Sequence, residues 1–333
     1  MVQFFYLKDK MMEKKQIQVG GQAVIEGVMM RGPAYCATAV RRKSGQIEVL
    51  KEAFTTRTKS HPLFKQPIIR GFVSLIEMMI IGIGTLNFSA QRAELDLDET
   101  DKTNTEKNPL MVKLGEYLTI IASLALAFGL FGYLPYQISS WINLAKDNWL
   151  FNIFAGSIRI VFFVLYVWII SKFKDIHRVF EYHGAEHKSV HAYDKEPDLN
   201  VNDVKKYTTI HPRCGTSFMF FVLLISILIF SIVDSLVSRF IGVPQLFVRL
   251  GYHLLLLPLI SGISYEVLKM SEKKLNHPLV KLMTVPGMAL QKITTQEPDE
   301  QQLEVAIVAL KAALELDLDQ HDNIRFVDKN TKD

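Results

Sequence analysis

With 333 residues, 49% of them hydrophobic, and a positive mean hydropathy, the chain is too apolar for an ordinary soluble protein and too mixed for a bare membrane bundle. Its net charge of +4 is small, and without an arginine-rich stripe or a basic patch interleaved with aromatics, nucleic acid has little support as a partner. Cys36 and Cys214 are the only cysteines, far apart in dissimilar surroundings, which argues against a disulfide framework and fits a reducing compartment.

The first residues, MVQFFYLKDKMMEKKQIQV, have no apolar core or cleavage site of a secretory signal. Residues 1–65 read as a glycine-rich β unit. Tyr35 to Arg41 and Gln46 to Phe54 flank a Lys43-Ser44-Gly45 turn, the pattern of a hairpin. Before it, GGQAVIEGVMMRGP has the glycine density of a tight turn or of a loop that lets backbone approach a ligand. It lacks the spacing of a phosphate-binding loop, so nucleotide binding is rejected there. Residues 66–93 are apolar but carry Arg70 at one end and Glu77 centrally, which predicts a helix lying in the membrane interface, or packed beneath the bundle, rather than crossing it. Residues 94–110 form an acidic linker.

Residues 111–268 predict an α-helical transmembrane domain of about four helices. Leu114–Pro135, Leu150–Ile170, Ser217–Val237 and Leu246–Ser264 each offer roughly twenty mostly apolar residues, enough for about 30 Å of hydrocarbon. The first three read as uninterrupted. The fourth carries Arg249 and His253, with Glu266 at its end, either as buried charges facing the bundle or as a polar lining for a metal site. The loop 171–216 is rich in lysine and arginine, whereas the connection from Tyr136 to Trp149 holds only Lys146. The positive-inside rule therefore predicts a cytoplasmic loop and, with four spans, cytoplasmic termini. Within the tail 269–333, Leu303, Ala306, Ile307, Leu310 and Leu314 recur at helical spacing, predicting a surface amphipathic helix docked on the body or on a partner.

The segments Tyr182–His191 and His211–Gly215 hold four of the nine histidines and one of the two cysteines. His183 and His187 are four apart and share a helix face, with Glu186 beside them. This His-x-x-Glu-His pattern is one in which imidazoles hold zinc and a carboxylate activates water. If the second span continues as a helix to about Asp194, His183 and His191 lie about 12 Å apart, too far to share one ion from a straight helix. One i, i+4 pair must be completed from elsewhere, and His211 and Cys214 are the natural supply. Candidate ligands of Zn²⁺ or a similar divalent transition metal are thus His183, His187, His191, His211, Cys214 and Glu266, with Glu186 as general base. The same residues also permit a closed structural metal site, or a basic collar for lipid headgroups.

The combination of GGQAVIEGVMMRGP, EYHGAEHKSVHAYD, HPRCGTSF, LLLLPLISGISYE and PGMALQKITTQEPDEQQLEVAI resembles the YqhQ-type family of bacterial membrane proteins, from Gly20 to about Ala313. That family is a domain of unknown function, described as predicted metal-dependent enzymes. The resemblance implies an integral protein of a bacterial cytoplasmic membrane. Two functions fit: a metal-dependent hydrolase acting at the membrane interface, or a non-enzymatic scaffold or assembly factor whose metal holds the loop. Transport has less support with few spans and few charges inside them. Expected partners are membrane lipids, with a membrane-protein partner through the β unit or the C-terminal helix; the oligomeric state is left open.

Overall fold

The computed structural model describes residues 19–98, 109–142, 149–196, 199–212, 214–273, 277–318 and 323–328. Four strands, β1 (Gly20–Val24), β2 (Gly27–Arg31), β3 (Tyr35–Arg41) and β4 (Ile47–Ala53), form an antiparallel meander. The glycine-rich segment makes the first hairpin, turning at Ile25-Glu26, where Glu26 adopts a positive φ of 52°. The Lys43-Ser44-Gly45 turn makes the β3–β4 hairpin, with Gly45 at φ 88°, a conformation glycine adopts without penalty. A fifth strand from the far end of the chain, β5 (Ile324–Phe326), pairs parallel to β4.

The helices are α1 (Ile69–Asp98), α2 (Pro109–Phe128), α3 (Leu134–Trp141), α4 (Trp149–Ile170), α5 (Lys174–Tyr193), the short α6 (Val201–Val204), α7 (Gly215–Ile241), α8 (Leu246–Lys273), α9 (Pro278–Thr294) and α10 (Glu300–Ala313). A π-helical turn, Gly129–Tyr133, joins α2 to α3. The linker expected over 94–110 falls mostly outside the described residues, and its first residues belong to α1.

The sheet is covered on both faces. Alternation along β3 sends Ala37 and Ala39 to one side, where they join Val28, Met30, Ile47 and Val49 in a core with α5 and α10. Val40, with Val24 and Leu50, packs instead on Phe88 of α1. The small side chains of Ala37, Ala39, Ala306, Ala309 and Ala313 let the sheet and α10 approach closely. Full burial of Leu303, Ile307 and Leu310 contributes about 1.5–3 kcal/mol each.

The tail helix α10 is consequently not a surface amphipathic helix. Gln302, Leu303 and every residue from Val305 to Ala313 are buried. The face opposite Leu303 and Ile307 holds Val305, Val308 and Ala312 rather than charge, and these are buried as well, with α10 packed against both α5 and the sheet. Its start is set by a capping box: Asp299 accepts the Gln302 N–H at 2.7 Å and Gln302 accepts the Asp299 N–H at 2.9 Å.

Five helices are long and apolar enough to cross a membrane: Ile69–Asp96, Tyr117–Trp141, Trp149–Ile170, Gly215–Ile241 and Phe247–Ser271. They suggest a membrane protein, with one more candidate span than the sequence pattern counted. The extra one is α1, whose Glu77 is not a lone charge: its carboxylate accepts from Thr56 Oγ1 at 2.8 Å and from the Arg57 N–H. At the other end of α1, Arg92 and Arg42 both reach the buried Glu48 of β4, at 3.0 and 2.9 Å, and Arg42 also holds Asp96 at 2.8 Å.

The second and third spans are not uninterrupted. Arg159 lies within α4, donating to the Phe131 carbonyl of the π-helical turn at 2.7 Å, and Asp234 lies within α7. Asp234 is the hub for the charges of α8: Arg249 Nε donates to it at 2.8 Å and His253 Nε2 at 2.9 Å, while Tyr252 also reaches it and Arg249 reaches Asn152. Arg249, buried, and His253, partly buried, are therefore partners of Asp234 within the bundle, and among the described residues neither is bonded to the histidine-rich segment.

Candidate metal centre

The helix that carries the histidines starts anew. Lys172 and Phe173 turn the chain after α4, and α5 begins at Lys174 rather than continuing the span. Its position is set by the first hairpin, since Arg178 Nη2 donates to Glu26 Oε2 at 2.6 Å and the Tyr182 hydroxyl donates to the same oxygen at 3.3 Å. The bond to Glu26 raises the Arg178 pKa, while burial raises that of Tyr182. Two glycines allow the close approach. A Cβ on Gly21 would lie 2.7 Å from Glu186 Cγ, and one on Gly184 would lie 2.0 Å from the Gln296 carbonyl oxygen. The GGQAVIEG segment thus makes room for Glu186 and supplies the carboxylate that anchors α5.

His183, His187 and Cys214 converge, with one ligand atom from each lying within 4.8 Å of the others. Both imidazoles are oriented through their other nitrogen. His183 Nδ1 donates to the Thr294 carbonyl at 2.8 Å, and His187 Nδ1 donates to the Thr209 carbonyl. A carbonyl only accepts, so each Nδ1 carries the proton and each Nε2 is left with a lone pair. His183 Nε2 is 3.3 Å from Cys214 Sγ, a nitrogen–sulfur separation suited to a shared ion with bonds of about 2.0 and 2.3 Å. Cys214 is placed by capping α7, where its sulfur accepts the Thr216 N–H at 3.4 Å. The donor set of two imidazoles and a thiol suits a zinc-type ion.

Glu186, 5% exposed, brings a carboxylate oxygen to 3.4 Å from His187 Nε2. Burial opposes a charge on His187, but the bond to Cys214 and the field of Glu186 outweigh it, and its pKa is raised. His191 behaves differently. It spends Nε2 on the Ile210 carbonyl at 3.0 Å, and burial lowers its pKa. His211 stands between them, its ring 5.6 Å from that of His187 and 4.4 Å from that of His191. The four rings form a row, of which only the first two join Cys214 in the three-ligand group. Glu266 is elsewhere engaged: Arg70 of α1 holds it in a two-pronged pair, with Nε at 2.6 Å.

Several residues that build the site carry no metal-binding signature. Gln291 of α9 clamps the loop, accepting the His211 N–H at 2.8 Å and donating to its carbonyl at 2.9 Å. Buried Lys188 donates to the Lys205 carbonyl at 3.1 Å and pairs with Glu297, fixing the α5 face to the segment after α9. Thr209 and Thr294 act through carbonyls, which no side-chain pattern reveals.

A cavity of about 520 Å³ opens against His183 and Cys214, bounded by α1, α5, α7, α8 and β1.

Residues 66–316 match the family model described as "Protein of unknown function (DUF1385)". The chain is 32% identical over 304 residues to the uncharacterized protein YqhQ of Bacillus subtilis (strain 168), covering 90% of this chain and 92% of that protein. No solved structure matches. The candidate metal ligands, the orienting carbonyls and the α9–α10 segment all lie inside the matched span, and the chain belongs to the DUF1385 family.

Proposed function

We propose that this chain is a multi-pass protein of a bacterial cytoplasmic membrane, and that His183, His187 and Cys214 hold a zinc-type ion used for hydrolysis at the cytoplasmic interface. The observation that carries this reading is the ligand count. Three ligand atoms converge beside a buried carboxylate and an adjoining cavity, and zinc sites with three protein ligands keep the fourth position for water or substrate. Such an ion supplies a bound water acidic enough to ionise near neutral pH. Glu186 takes the proton and returns it to the leaving group. Thr209 and Thr294 hold the imidazoles in the ligating tautomer.

The membrane arrangement that suits this site has four spans, with α1 lying in the interface. Supporting it are the partners of α1, which is about 45 Å long at helical rise. It meets Glu266 at its start, Gln22 at Gly82 and Arg42 at Asp96. The last two belong to the sheet, so its second half stays beside a solvated body. The opposite stripe, Ile76, Met79, Ile80, Ile83 and Leu86, is exposed and apolar, as an interfacial helix requires. The end of α4 and the start of α7 flank the loop with its lysines and arginines, and this charge asymmetry supports a cytoplasmic side for the site.

Elemental analysis of gently purified protein tests the reading. About one zinc-type ion per chain is expected, retained in Glu186→Gln with loss of function and lost in His187→Ala. Protein without any transition metal sinks it. An ion retained together with full function in Glu186→Gln makes the metal structural and the protein a scaffold.

A further inference from the structure

The cavity beside the cluster differs from the cluster in chemistry. Its walls are apolar: Leu75 and Met78 of α1, Val179 and Phe180 of α5, Phe218 and Met219 of α7. Its polar side chains are few: His183, Cys214 and Thr216 lie together at the cluster, and Gln22 of β1, Ser74 of α1 and Tyr265 of α8 complete the lining. At about 520 Å³ it falls in the range of a small-ligand site. A peptide threaded here would bring a donor and an acceptor with every residue into walls that offer few partners, each unmet group costing about 1–3 kcal/mol. A hydrocarbon chain brings none and gains from leaving water. Gly215 fixes the geometry at the polar end: a Cβ there would meet no atom within 4 Å, so the space beside Cys214 is open. On the other side of α1 lies its exposed apolar stripe, which sets this wall of the cavity at the level of the lipid.

We propose that the cavity binds one acyl chain of a membrane phospholipid and places the ester joining that chain to glycerol at the His183–Cys214 end. The substrate class is then an acyl lipid. Hydrolysis would add the oxygen of water to the ester carbonyl carbon, break the bond from that carbon to the glycerol oxygen, and pass the proton of water through Glu186 to the departing glycerol alkoxide. No oxidant or second substrate enters. The lipid assignment rests on the hydrolase reading for its chemistry, but its binding step stands on the cavity alone.

The test uses the full chain in nanodiscs containing phosphatidylglycerol with a photoreactive acyl chain, with crosslinked residues mapped by mass spectrometry. Crosslinks to Leu75, Met78 and Val179 are expected. They should fall at least tenfold in Gly215→Leu, whose Cβ meets no atom within 4 Å and whose branch fills the space beside Cys214, and in Leu75→Trp, which fills the α1 wall. Metal content should be unchanged in Leu75→Trp. Crosslinks confined to the outer faces of α2, α4 and α8, and indifferent to both variants, overturn the proposal. So does displacement of the lipid by an extended apolar peptide at equal concentration. Crosslinks inside the cavity of a protein that holds no metal retire the hydrolase reading and keep the lipid site. Metal present without those crosslinks does the reverse.

Discussion

Replacing Gly184 by alanine sets two opposed effects against each other at the heart of the site. Alanine in a helix interior is favoured over glycine by about 1 kcal/mol. Against that, the new Cβ would stand 2.0 Å from the Gln296 carbonyl oxygen and 3.2 Å from its carbon. The obstacle is backbone, held by the Gln296 N–H donating to the Phe180 carbonyl at 2.9 Å, so it cannot swing aside as a side chain would. To reach ordinary contact, α5 and the 294–297 segment must separate by about 1 Å or more. Overpacking of that kind costs about 1–3 kcal/mol and sometimes more, so the clash prevails. The same separation pulls Thr294 from His183 and Glu297 from Lys188. Loss of an orienting partner typically lowers metal affinity about 10–100-fold. Thermal melting in detergent and competitive chelator titration of zinc, run beside Gly251→Ala, make the assay. An added methyl at Gly251 of α8 meets no atom within 4 Å, so that variant should bind zinc like the parent and melt at or slightly above it, with the helix gain of about 1 kcal/mol unopposed. Gly184→Ala with parental melting and parental zinc affinity would refute the packing argument.

Glu48→Ala should destabilise the protein by about 3–5 kcal/mol, because it leaves Arg42 and Arg92 buried beside the sheet with their shared carboxylate gone; a shift below 1 kcal/mol in denaturant or thermal unfolding would count against that network. Burial pushes the Cys36 thiol up to about 11, so maleimide at pH 7.5 should leave it unlabelled in the folded protein and label it after denaturation. Chelator should speed labelling of Cys214 and leave Cys36 unchanged; equal rates with and without chelator would separate Cys214 from the metal. A cysteine at exposed Lys195 should resist an impermeant reagent in intact cells and react after lysis, and efficient labelling from outside would invert the topology.

Four long apolar runs, the β3–β4 hairpin and the shared helix face of His183 and His187 are properties of neighbouring residues, and such periodicities can be read directly from the chain. The position of Glu186 and the limit on one straight helix supplying every ligand follow from helical rise alone. Which residues complete the group is a different kind of question. Cys214 reaches His183 because α7 begins beside α5, while His191 turns its Nε2 to a carbonyl and Glu266 is captured by Arg70, 196 residues away in sequence. The full burial of α10 likewise depends on a sheet built from the opposite end of the chain. Its Val305, Val308 and Ala312 suit either a weakly polar surface or an interior, and only the elements packed around α10, namely α5 and the sheet, decide between them. The charges within the spans follow the same rule. Arg249 in isolation predicts a cost in hydrocarbon, and its relief by Asp234 and Asn152 exists only once three helices lie side by side. Sequence spacing determines what lies on one element, whereas contacts between elements depend on shape, on small residues such as Gly21 and Gly184, and on backbone carbonyls that carry no side-chain signature.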